Sequence, residues 1–433
     1  MTDLLRFATA GSVDDGKSTL VGRLLYDTKS VLADQIEAVR RASVDKGLAT
    51  PDLSLLVDGL RAEREQGITI DVAYRYFATP RREFVLADTP GHVQYTRNTV
   101  TGASTAELAV LLVDARYGLV EQTRRHTAVL ALLRVPRLVL AVNKIDLVDH
   151  DEAVFAAIAK DFTGLVRALG YPTDQVVSIP VSALHGDNVV ERSPHTPWYD
   201  GPTLLEHLET VPVTGPEADA PLRLPVQYVI RPGTVENPDY RGYAGRVAAG
   251  TIRPGKSVVV LPSGGTTTVQ AVDTADGELA AAGAGHSVAV RLTDDLDVAR
   301  GDVIVDSQRS PRVTSELDAT LCWLADTPLR PGARLLLKHG TRTTQAVVTA
   351  LHDRLDTDAL QHAATELLEI NDIGRVTVRT ADPLPVDDYV VSRTTGSFLL
   401  IDPPSGNTLA AGLIGAPQLH LDPPSDPPPT PGP

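Results

Sequence analysis

One cysteine, Cys322, stands among 433 residues. A single thiol excludes an internal disulfide and suits a reducing compartment. Aromatic residues are also scarce, at 4%, so the 42% hydrophobic content must build cores that are mostly aliphatic. No uninterrupted apolar stretch is long enough to span a membrane. Met1-Thr2-Asp3 lacks the basic n-region and apolar h-region of a signal peptide, so a cytoplasmic location is expected. Positive charge is in deficit as well. Lys+Arg of 40 against Asp+Glu of 55 leaves −15, a poor electrostatic match for naked nucleic acid, although a local basic face can sit under a negative total.

What is present begins with a loop. Gly11-Ser12-Val13-Asp14-Asp15-Gly16-Lys17-Ser18, followed by Thr19, fits G-x-x-x-x-G-K-[ST]. Glycines let backbone N–H groups curl around phosphates, Lys17 reaches the β/γ oxygens, and the Ser18 hydroxyl can ligate Mg²⁺. The pattern is not unique even here, because Gly250-Thr251-Ile252-Arg253-Pro254-Gly255-Lys256-Ser257 also matches. Context separates the two. The first follows the apolar run Leu4–Ala10 and precedes a stretch with helical apolar spacing from Ser18 to Leu25, giving strand, loop and helix N-terminus. The second runs into Val258-Val259-Val260 and carries Pro254 beside Gly255, which reads as a hairpin.

The length suits two to three domains at roughly 100–200 residues each. Apolar strand candidates at 83–87, 109–113, 137–142 and 176–181 alternate with helical stretches. Near-continuous apolar strands of this kind belong to a mostly parallel sheet with helices on both faces, an α/β domain over residues 1–212. After a breaker-rich connector, short β-prone runs separated by Gly and Pro turns predict two small β-barrels, at 213–313 and 314–420. Residues 421–433 form a Pro-rich tail expected to be disordered.

Further site elements follow strands in order. Asp88-Thr89-Pro90-Gly91-His92 ends one strand: a carboxylate there can hold Mg²⁺ through water, and the Gly91 N–H can approach a γ-phosphate. Asn143-Lys144-Ile145-Asp146 ends another. A fixed carboxylate at Asp146 accepts from both N1–H and the exocyclic amine of guanine, whereas adenine would leave it unpaired. Asn143 can bridge base and loop, and the Lys144 stem can pack along the purine. Ser182-Ala183-Leu184, after the strand at 176–181, places the Ala183 N–H for the guanine carbonyl. Together these elements predict a GTP-binding domain. Thr69, in Gly67-Ile68-Thr69-Ile70, is a candidate Mg²⁺ ligand that would let go after hydrolysis. His92 is the candidate for orienting the attacking water. Asp14 can position a cation near the phosphates or cap the loop.

Thr69 in Gly-Ile-Thr-Ile, His92 in Asp-Thr-Pro-Gly-His and the pair of barrels resemble the translation-factor class of GTPases. Within it the chain is most similar to the family of GTPase (large) subunits of bacterial sulfate adenylyltransferases. The residues that carry this are Gly11–Thr19, with Asp15 where elongation factors usually have His, together with 94–98, 122–126, 240–245, Leu337–Arg342 and Thr395–Asp402. Val100 departs from the small or Met-containing stretch common in the family, a change expected to be harmless. Some relatives carry a C-terminal kinase domain; no further strand–loop–helix P-loop occurs here, so that activity is not expected.

The resemblance implies a smaller catalytic partner subunit that transfers AMP from ATP to sulfate, giving adenosine 5′-phosphosulfate and pyrophosphate. GTP hydrolysis on the present chain, with Mg²⁺, would drive that unfavourable step as the first of sulfate assimilation, and the complex would be a heterodimer. The alternative from a different class is an elongation-factor-like translational GTPase that binds aminoacyl-tRNA or the ribosome.

Overall fold

The computed structural model describes residues 3–45, 51–57, 71–92, 96–213, 220–233, 240–356 and 361–415. Thr69 with its neighbours Gly67–Ile70, the pair Gln94-Tyr95 and the Pro-rich tail lie outside them.

The N-terminal half is a six-stranded sheet. Its strands are β1 (Asp3–Gly11), β2 (Ala73–Ala78), β3 (Arg82–Asp88), β4 (Leu108–Asp114), β5 (Arg137–Asn143) and β6 (Val176–Pro180), in the order β2-β3-β1-β4-β5-β6. From β3 to β6 neighbouring strands pair in parallel, while β2 adds an antiparallel edge. Every residue of β4 is buried, as expected for a central strand covered on both faces. Edge strand β2 instead alternates exposed and more buried positions. Aromatics are few, and three of the six phenylalanines meet in one cluster: Phe77 stacks on Phe84 at 4.6 Å, and Phe7 meets both edge-on at 6.2 and 6.3 Å. Helix α1 (Lys17–Asp27) packs Leu20, Val21 and Leu24 into the same core, each at most 1% exposed.

The first barrel comprises β7 (Arg223–Pro225), β8 (Tyr228–Ile230), β9 (Gly242–Arg246), β10 (Thr251–Ile252), β11 (Ser257–Leu261), β12 (Gly265–Thr274), β13 (Gly277–Glu278), β14 (Ala282–Gly283), β15 (Ser287–Leu292) and β16 (Val303–Asp306). Pairing runs β7-β16-β11-β12-β15-β9, and the ring closes where the Arg223 N–H donates to Ala249 O at 3.0 Å. The second comprises β17 (Arg312–Trp323), β18 (Arg334–His339), β19 (Arg342–Asp356), β20 (Gln361–Ala363), β21 (Ile373–Val386), β22 (Ser397–Ile401) and β23 (Thr408–Ile414). There β18-β22-β23-β17-β21-β19 closes through the β18–β19 pair. Alternation of buried and exposed residues along β19 and β21 fills the interior with Val and Leu.

The described residues up to Val213 form one compact unit and the two barrels another. Inside the barrel unit, buried Arg223 of β7 makes a bidentate pair with buried Asp387 after β21, at 2.8 and 2.9 Å. Asp387 also accepts from Thr395 Oγ1 at 2.6 Å, while His339 Nε2 bonds Thr395 O at 2.8 Å. Nearby, Thr341 Oγ1 donates to Val226 O at 2.9 Å and Arg342 pairs with Asp302 at 2.8 Å. The late sequence motifs 337–342 and 395–402 therefore contribute the polar fastening between the two barrels.

The second G-x-x-x-x-G-K-S match differs from the hairpin expected of it. A turn at Arg253–Lys256 does join β10 to β11, but these strands do not pair with each other: β10 pairs with β14, and β11 with β12 and β16. Pairing in a closed barrel is set by the whole ring, which local turn chemistry does not determine. Lys256 ends in an ion pair with Asp306 at 3.0 Å.

Candidate functional site

All the sequence-predicted elements that the structure describes come from the carboxyl ends of parallel strands. The loop Gly11–Ser18 leaves β1, Asp88–His92 leaves β3, Asn143–Asp146 leaves β5 and Ser182–Leu184 follows β6. In an open parallel α/β sheet that end is where ligands collect. Ser18 and Thr19 lie in the first turn of α1, so loop amides and helix dipole face the same space.

Asn143 joins three of the elements. Its Nδ2 donates to Asp15 O at 2.7 Å, and its Oδ1 accepts from the Ala183 N–H at 2.9 Å. Lys144, with φ 60°, sends Nζ to Asp14 O and to the Asp114 carboxylate, the latter at 2.9 Å. Burial alone would raise the Asp114 pKa; hydrogen bonds from Arg116 and Lys144 outweigh it and hold the carboxyl at about 2. Ile145 is buried, and the Asp146 carboxylate, 15% exposed, stands 3.7 Å from His185 Nε2. Ser182 Oγ accepts from the His185 N–H at 3.3 Å, and exposed Leu184 offers its carbonyl to Arg23 at 2.6 Å. Arg23 lies in α1, so the loop Ser182–Leu184 is tied back to the helix that follows Gly11–Gly16.

Lys17 is 7% exposed and donates to two carbonyls of its own loop, Gly11 O at 3.1 Å and Ser12 O at 2.7 Å. Burial lowers its pKa, while Asp15, Asp88 and Asp14 pull it up. Asp15 folds into the loop and accepts the Ser12 N–H at 2.5 Å; burial raises its pKa and Lys17 opposes that rise. Val13 and Asp14 are exposed at the tip, Asp14 at φ 65°. Asp88 is fully buried and accepts from Thr9 Oγ1 at 2.8 Å; Thr89 Oγ1 donates to Thr9 O at 2.6 Å. Pro90 is buried, and His92 follows Gly91, half-buried.

Two glycines are required by geometry. Gly16 has φ 92°, and a Cβ there would stand 2.5 Å from Asn143 Nδ2. A Cβ at Gly91 would stand 2.8 Å from the Ser12 carbonyl. The cradle thus closes on the Asn143 amide at Gly16 and on the Lys17 ammonium and the Ser12 carbonyl at Gly91.

Several participants have no role assigned to them by the sequence. His126, in the helix Glu121–Leu132, is fully buried and its Nδ1 accepts the Gly11 N–H at 3.2 Å. Burial pushes its pKa down to about 3, so the ring is neutral. With Nδ1 accepting, Nε2 carries the proton, and it stands 2.9 Å from the Gln122 side-chain amide nitrogen. The i, i+4 spacing of Gln122 and His126 signals a shared helix face but not what it faces. Thr9, a polar residue inside an apolar strand, was the more readable clue. Among the described residues no group of His, Cys, Asp and Glu forms a metal cluster, and no helix is long and apolar enough to cross a membrane.

The family model of the elongation factor Tu GTP-binding domain matches residues 2–213, and that of the GTP-eEF1A C-terminal domain-like family matches 316–415. The chain is 55% identical over 416 residues to the bifunctional enzyme CysN/CysC of Mycobacterium tuberculosis, covering 96% of this chain and 67% of that protein. It is 51% identical to sulfate adenylyltransferase subunit 1 of Methylorubrum populi, covering 95% of this chain and 87% of the relative, and 48% identical to the subunit 1 of Laribacter hongkongensis, covering 95% and 85%. The chain belongs to the sulfate adenylyltransferase subunit 1 family, with an elongation-factor-Tu-type GTP-binding domain at its N-terminal end.

Proposed function

We propose that this chain is the GTP-hydrolysing subunit of a sulfate adenylyltransferase and that the loops around Lys17 form its GTP site. The observation that carries the site is Asn143, whose one amide ties the phosphate loop to the guanine-side loop at 2.7 and 2.9 Å. Such a link gives a single ligand two ends to satisfy, triphosphate at Gly11–Thr19 and guanine at Asp146 and Ala183. Lys17 is drawn from its own carbonyls onto phosphate oxygens. Asp146 accepts both guanine donors and leaves adenine unmatched.

The donor set also suits Mg²⁺, which Ser18 and Thr69 would hold directly and Asp88 through water; bound there, it neutralises phosphate charge. Thr9 fixes the Asp88 carboxylate for that task. His92 orients water toward the γ-phosphate, with Gly91 supplying a backbone N–H. The energy of hydrolysis is spent on a smaller partner subunit in the cytoplasm. There a sulfate oxygen attacks the α-phosphorus of ATP, the α–β bridging bond breaks, and pyrophosphate leaves. Relatives about 50% identical over 95% of the chain carry the sulfate adenylyltransferase name, which favours this reading over a translational GTPase.

The test is nucleotide competition followed by turnover. A fluorescent GTP analogue is expected to be displaced by GDP and not by ADP. His92→Ala is expected to keep the affinity while lowering hydrolysis about a hundredfold. Equal displacement by ADP, or unchanged turnover in the variant, would contradict the reading.

A further inference from the structure

Two consecutive amides of the phosphate loop are already held by side chains: Gly11 by His126, and Ser12 by Asp15. The two holders differ in charge. His126 is neutral and stands outside the loop on a helix. Asp15 belongs to the loop itself, is 6% exposed, and lies two residues before Lys17. The segment Gly11–Ser18 contains two carboxylates, Asp14 and Asp15, and one ammonium, Lys17. A loop meant to hold a polyanion is therefore itself net negative. Asp14 is exposed, and water screens it. Asp15 is buried, where screening is weak and each charge acts over several ångströms.

We propose that Asp15 is a built-in brake on nucleotide affinity. Its carboxylate shapes the loop through the Ser12 N–H, and its charge offsets Lys17, so GDP and GTP are held less tightly than a neutral loop of the same shape would hold them. The inference rests on the loop being the GTP site. Its consequence is that GDP leaves this chain readily, without needing a second protein to prise the loop open.

Shape and charge are separable. Asp15→Asn keeps a side-chain oxygen to accept the Ser12 N–H and removes the charge. A charge effect acts through the phosphates and spares the nucleoside, whereas a purely structural role moves all ligands together. Guanosine, GDP and GTP are competed against a fluorescent GDP analogue on the full chain, and analogue dissociation is followed by stopped flow. Asp15→Asn is expected to bind GDP and GTP about tenfold more tightly, to release the analogue correspondingly more slowly, and to leave guanosine affinity unchanged. GDP and GTP affinity that is unchanged, or that falls together with guanosine affinity, would overturn the proposal. A melting curve verifies that the variant is folded; if it is not, Asp15→Ser, which retains a hydroxyl acceptor, is read by the same criteria. Failure of the wild-type chain to bind any guanine nucleotide would be seen before either variant and would reject the site itself.

Discussion

The chain contains the same eight-residue pattern twice, at 11–18 and at 250–257, and folds it two ways. At the first, Lys17 is buried against carbonyls of its own loop, and an 11-residue helix begins at Lys17. At the second, Lys256 is partly exposed, pairs with Asp306 at 3.0 Å and enters a barrel strand. A lysine hydrogen-bonded only to carbonyls can turn to an anion without breaking a direct ion pair; one paired with a carboxylate cannot. The element that follows the pattern, and the company its lysine keeps, separate a site from a turn.

The sharpest way to break this comparison is to remove each lysine. Lys17→Ala is expected to weaken GTP binding at least a thousandfold by fluorescent-nucleotide titration, through loss of the phosphate contact. Lys256→Ala is expected to leave binding intact and cost at most about 1 kcal/mol in urea unfolding, the scale of an accessible ion pair. Comparable nucleotide defects in the two variants would abolish the distinction.

The same logic extends to the barrel junction, where charge is satisfied internally. Asp387→Ala strands buried Arg223 and is expected to destabilise the barrel unit by about 3 kcal/mol in urea unfolding while GTP affinity stays at the wild-type value. A loss of affinity without loss of stability would make the junction part of the site.

A smaller effect tests the base end. Asp146→Asn should lower GTP affinity about a hundredfold and raise that for xanthosine triphosphate, whose 2-carbonyl accepts from the new amide. Undiminished GTP affinity in a competition titration would remove Asp146 from the base.

A further effect is pH-dependent. The pKa of His126 lies at about 3, below the ordinary 6.5, so the native state resists a proton that the unfolded chain accepts. Its contribution to stability is full above pH 6.5 and is lost as pH falls toward 3. His126→Gln should flatten the decline in melting temperature across that window; an unchanged slope would reject the buried neutral ring.

The glycine loop at 11–18, the Asn143–Asp146 motif and the alternation of strands are legible in the sequence, because each depends on neighbours within a few residues. The place of Asn143 at the end of β5 follows from the strand order; the link it makes in the structure joins two loops, Asp15 O to the Ala183 N–H. The Arg223–Asp387 pair, 164 residues apart, was not readable, nor was His126 beneath Gly11, because periodicity identifies a buried face without naming what it meets. The motifs at 337–342 and 395–402 were visible as resemblance alone; their physical content is the hydrogen bonding between two barrels. Asp15 departs in sequence from elongation factors, but its bond to Ser12 depends on the loop's fold.

The most direct measurement of the central claim combines this chain with the proposed smaller catalytic subunit, ATP and sulfate, and follows adenosine 5′-phosphosulfate against GTP consumed. Product is expected to accumulate beyond the level reached without GTP, in proportion to GTP hydrolysed, and to return to that level with Lys17→Ala. The same product level with and without GTP would contradict it.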